Sequence, residues 1–85
     1  MGKIQGAASA PFRDELLKNL LSDYSAEHLE IASYRSLIAA AEELGFSEVA
    51  RICEEILKDE EAMAEWLEEH IPEVTRITLH QVANA

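Results

Sequence analysis

The stretch Tyr24-Ser25-Ala26-Glu27-His28-Leu29-Glu30-Ile31 puts a carboxylate where a helix should carry a hydrocarbon. Working outward from it at helical spacing, Leu17, Leu20, Tyr24, Glu27, Ile31, Tyr34, Ile38 and Ala41 form one seam, in alternate steps of three and four. Glu27 lies within that seam. A second seam, Val49, Cys53, Ile56, Glu60, Met63 and Leu67, repeats the anomaly at Glu60. The chain therefore reads as two amphipathic helices, each with one acid on its inner stripe.

Local signals set the boundaries. Residues 1–10 are rich in Gly, Ala and Ser and read as a flexible leader or linker remnant. Pro11 suits a first helical turn, and Asp14 and Glu15 place negative charge at the positive end of the helix dipole. The pattern then predicts one helix over 12–44. Gly45 is placed for a left-handed C-terminal cap with Phe46 as its hydrophobic contact, and Ser47 for the N-cap of a second helix over 48–70. Pro72 should stop that helix. The tail, 73–85, with Val74, Ile77 and Val82 in step, is expected to form at most a short third helix, its β-branched content suiting a strand almost as well.

Composition narrows the function classes. With 17 acids against 7 bases the net charge is −10, which points away from nucleic acid and anionic membranes and toward cations. No apolar run is long enough to span a bilayer, and the first residues lack the apolar core of a secretory signal. A single cysteine rules out an intrachain disulfide, and Cys53 on an apolar seam reads as a buried, inert thiol in a reducing cytoplasm.

Two long helices joined by a tight turn make an antiparallel hairpin. Beside the seam, the first helix also carries Leu16, Leu21, Leu37 and Leu44, more apolar surface than one partner helix can cover. The expected architecture is all-α: a hairpin that completes a four-helix bundle, by homodimerisation or with a missing N-terminal half-bundle.

The two seam acids should meet. Glu27 lies 18 residues before Gly45 and Glu60 lies 15 after it, so they stand about 27 Å and 22 Å from the turn at 1.5 Å per residue. Charges that close must be paired, protonated, or bound to a cation. The plain expectation is that both reach solvent or pair with Arg35 or Arg51. The sharper one is a metal site of Glu27 and Glu60, with His28, Glu30 and Glu61 as weaker candidate ligands. Tyr24 and Tyr34 bracket Glu27 as core residues.

From Asp23 to Glu68 the chain resembles the third and fourth helices of the ferritin-like superfamily. Ile56-Leu57-Lys58-Asp59-Glu60-Glu61-Ala62-Met63-Ala64-Glu65-Trp66-Leu67 is similar to the bacterioferritin segment that carries Glu-x-x-His. Ala26-Glu27-His28-Leu29-Glu30-Ile31-Ala32-Ser33-Tyr34 and Leu44-Gly45 resemble the C-terminal half of the bacterial, stress-associated YciE/YciF-type ferritin-like proteins. The resemblance puts Glu27 and Glu60 at carboxylate-ligand positions, and Met63 where the histidine would stand. It thus implies a non-catalytic or weakly metal-binding bundle protein, its oxygen donors suiting Mn²⁺, Mg²⁺ or Ca²⁺ better than redox Fe. The competing expectations are a di-iron or di-manganese oxidoreductase or iron-handling protein, and a purely structural helical association module.

Overall fold

The computed structural model describes residues 14–84. Within them the chain forms two helices, α1 (Glu15–Glu43) and α2 (Ser47–Ala83), packed against each other as a hairpin. The expected all-α class holds, with no strand among the described residues. Residues 1–10, expected as a leader, and Pro11 lie outside the described residues. Among the described residues the first helix spans Glu15–Glu43 behind Asp14, whose carboxylate pairs with Lys18 at 3.5 Å, and the start expected at 12 lies outside them.

The seam expected for α1 is the packed one. Leu20, Ile31 and Ala41 are buried, and Leu17, Tyr24, Glu27, Tyr34 and Ile38 are half-buried. On α2 the expected seam is displaced by one residue at two levels: Ala50 and Ala64 are buried, whereas Val49 and Met63 are 49% and 48% exposed. Side-chain size explains the shift. Helices approach closely where small residues meet, so alanines take the contact line and the bulkier neighbours turn aside.

The reversal is a full Schellman motif. The Phe46 amide donates to the Ala41 carbonyl at 2.8 Å and the Gly45 amide to that of Glu42 at 3.1 Å, with Gly45 at φ +76°. The sequence places Ser47 at the N-cap of α2, but it is the first helical residue, and Phe46 occupies the cap with no side-chain hydrogen bond.

The second helix also runs further than its sequence implies. It passes through Pro72 and ends at Ala83, so the break expected near His70 and the separate tail element at 73–85 are both replaced by one continuous helix. A mid-helix proline forfeits one backbone hydrogen bond and costs about 3 kcal/mol. Packing offsets this, because Ile71 and Val74 are half-buried and Thr78 is 7% exposed, one to two turns around and beyond the proline.

The hairpin measures 65 × 20 × 12 Å, one helix thick, with a radius of gyration of 19.1 Å. A compact chain of this length would have about 12 Å. No described side chain falls below 2% exposure, and Leu37, Leu44, Ile52, Met63, Trp66 and Ile77 all remain exposed. Trp66 stacks on His70, centroids 4.0 Å apart, and stays 54% exposed.

Candidate carboxylate site

Glu27 projects from the packed stripe of α1 between Tyr24 and Ile31, and Glu60 from that of α2 between Ile56 and Ala64; all four neighbours are buried or half-buried. The hairpin thereby sets the two acids opposite each other. Glu30, one turn along α1 from Glu27, reaches the same point. One carboxylate oxygen from each of Glu27, Glu30 and Glu60 lies within 4.8 Å of the other two.

The arrangement leaves polar atoms unsatisfied. Oε2 of Glu27 and Oε2 of Glu60 are shielded from solvent and have no hydrogen-bond partner. A buried acceptor without a donor costs free energy that a proton or a cation can recover. The electrostatics agree. The Glu60 carboxyl is raised above its ordinary value, first by the adjoining Glu27 carboxyl and then by burial and the charges of Glu27 and Asp59, while the adjoining Glu30 carboxyl opposes this. Glu30 is raised in turn, by the adjoining Glu60 carboxyl and its charge and then by burial.

Arg35 and Arg51, the arginines expected to neutralise the seam acids, are engaged elsewhere. Arg35 bridges the helices to Glu61 at 3.3 Å, and Arg51 holds Glu48 and Glu55 at 2.6 and 2.8 Å along its own helix. The expected pairing of Glu27 or Glu60 with Arg35 or Arg51 does not occur.

Of the weaker candidates, the structure brings in only Glu30. His28 meets Tyr24 edge-on, with ring centroids 4.4 Å apart, and lines a cleft with Arg35, Glu61, Glu65 and Glu68. At about 100° per residue, His28 and Glu30 leave α1 on opposite sides of Glu27, so that cleft and the carboxylate cluster open on opposite faces of the hairpin. Glu61 goes with His28. The signal for Glu30 was its i, i+3 spacing from Glu27, which puts two carboxylates one above the other on a helix edge.

Chemically, the cluster offers three hard oxygen donors and no nitrogen. That is short of the six to eight oxygens that Mg²⁺ or Ca²⁺ takes, so added ligands must come from water or another molecule.

Against known proteins, a family model described as "Domain of unknown function (DUF892)" matches residues 1–80. The chain belongs to that family, whose fold is ferritin-like. No solved structure matches it.

Proposed function

We propose that this protein is a non-catalytic ferritin-like bundle protein in which Glu27, Glu30 and Glu60 weakly hold a hard divalent cation, Mn²⁺, Mg²⁺ or Ca²⁺. The observation that carries this reading is the pair of solvent-shielded, unpartnered Oε2 atoms on Glu27 and Glu60, beside a third carboxylate. An unpaired acidic trio on a chain of net charge −10 is electrostatically costly without a counter-charge. The closer kinship to stress-associated YciE/YciF-type proteins, a cytoplasmic bacterial setting and the completion of a four-helix bundle by a homodimer belong to the same reading.

The residues fit a hard cation better than a redox iron pair. Met63, three residues after Glu60, stands where a Glu-x-x-His motif would carry its imidazole, and it is turned outward at 48% exposure. When bound, the cation would supply positive charge to the cluster. The three glutamates would hold it, and Ile31, Ala64 and Leu67, all buried nearby, would limit water on the inner side.

Thermal melts with and without millimolar Mn²⁺ or Ca²⁺ test the reading, since a ligand that binds only the folded chain raises the midpoint. A shift of several degrees that disappears in Glu60→Gln is expected. An unchanged midpoint at saturating cation overturns it, and Fe²⁺ oxidation under air would favour the oxidoreductase reading in its place.

A further inference from the structure

We infer that the last three turns of α2, residues 73–83, form an arm that comes away from α1 as a unit. It is hinged at Pro72, and the rest of the hairpin stays folded when it opens.

Three carbonyls within two turns of α2 set the hinge. Pro72 has no amide to give the Glu68 carbonyl four residues back. The Thr75 hydroxyl donates to the Ile71 carbonyl at 2.6 Å, a bond back along the helix that competes with the backbone ladder and favours bending. The third carbonyl is that of Trp66, which lies 2.7 Å from Nδ1 of His70; a carbonyl only accepts, so Nδ1 carries the proton. A helix gives way where its ladder is interrupted or shared with side chains.

Packing decides which side of the hinge is the loose one. Of the five buried residues of α2, Ala50, Cys53, Ala64 and Leu67 precede the proline and only Thr78 follows it. Val74 is half-buried, and every residue from 79 to 84 is exposed. The arm's one buried side chain is also a hydroxyl, which recovers less free energy on docking than the apolar groups buried nearer the turn. Beside it the contact is incomplete. A groove of about 310 Å³ separates Asp14 and Leu17, at the start of α1, from Thr75, Thr78, Leu79 and Val82 on the arm. Side chains lining such a gap lack partner atoms on one side and lose their dispersion contacts.

The part nearer the turn is held differently. It has four buried side chains on α2, the closed Schellman turn, and the Arg35–Glu61 ion pair across the helices at 3.3 Å. A cooperative unit ends where its buried contacts end, and segments with few of them open at low free energy. Once released, an arm of eleven residues is too short to stay helical by itself, so opening melts it. Leu17 is then uncovered, while Glu27 and Glu60 stay on the folded side. The chain thus has a fixed part that carries the carboxylates and a movable end that does not.

Native-state hydrogen exchange of the full chain, followed residue by residue by NMR in EDTA, tests this without any contribution from a cation. Amides of residues 75–80 should share one protection level, at least tenfold below that of residues 53–67, with the step at Pro72. Pro72→Ala restores an amide and should raise the protection of 75–80 at least tenfold. Trypsin gives a second reading, because Arg76 on the arm and Lys58 before the hinge are both exposed. Cleavage after Arg76 should be at least tenfold faster than after Lys58, each relative to its rate in the unfolded chain. One protection level across both segments, or equal cleavage at the two sites, overturns the inference. So does protection that declines residue by residue inward from 84 with no common level, which is fraying of a helix end. Protection of 75–80 unmoved by Pro72→Ala overturns the assignment of the hinge.

Discussion

Glu27 and Glu60 face each other across the hairpin with Oε2 of each withdrawn from water and unpartnered, although both helices were free to carry leucine there. The free energy of that arrangement depends on what neutralises it.

Stability should therefore depend on pH with a definite sign. Glu60 and Glu30 are both raised from the ordinary 4.5, so the folded chain binds more protons than the unfolded one above that value. Their contribution is fully present below about pH 4.5 and is lost as pH climbs through the raised folded values. Melts in chelator from about pH 4 to 8 should show a falling midpoint over that window. Glu60→Gln, which retains a hydrogen-bond donor without the charge, should flatten most of the slope and melt higher at neutral pH.

Gly45 should be intolerant for conformational reasons alone. At φ +76° it closes the Schellman motif, and a Cβ built there meets nothing within 4 Å. Gly45→Ala should cost about 1 kcal/mol from the left-handed backbone, measured by urea denaturation, with the helix content unchanged.

Pro72 is a standing cost inside α2. Pro72→Ala restores the missing amide donor and should stabilise the chain by up to about 3 kcal/mol, with increased helicity. A loss of stability would mean that a distortion at the proline is needed to seat Val74 and Thr78.

Ala64 sits at 5% exposure on the stripe of α2 that faces α1. Ala64→Leu should force them apart and cost about 1–3 kcal/mol by overpacking. Met63→Leu, one residue away and 48% exposed, should change the stability of the isolated hairpin by less than about 0.5 kcal/mol.

The legible parts of the fold are those where periodicity is the cause. The α1 seam from Leu17 to Ala41 could be read directly, because a long apolar stripe interrupted at one position has a single register. On α2, size misled: Val49 and Met63 are better hydrophobes than Ala50 and Ala64, yet close helix approach selects the smaller side chain, a property of the pair rather than of either helix. Pro72 misled in the same way, since its local cost is visible in sequence and the offsetting contacts of Ile71, Val74 and Thr78 are tertiary. At the site, Glu27 and Glu60 announced themselves by standing in the seam. Glu30 did not, because a glutamate one turn along and outside the stripe reaches in only by the length of its side chain.

A body 12 Å thick has two outsides and no inside. The customary division between residues that hold a protein up and residues that greet its neighbours then lapses, for Ile52 or Trp66 belongs to both groups. If two copies pair through such residues, each substitution there is made twice in one assembly. The chain's concentration becomes part of its fold, and its folded fraction a readout of how much of it has been made.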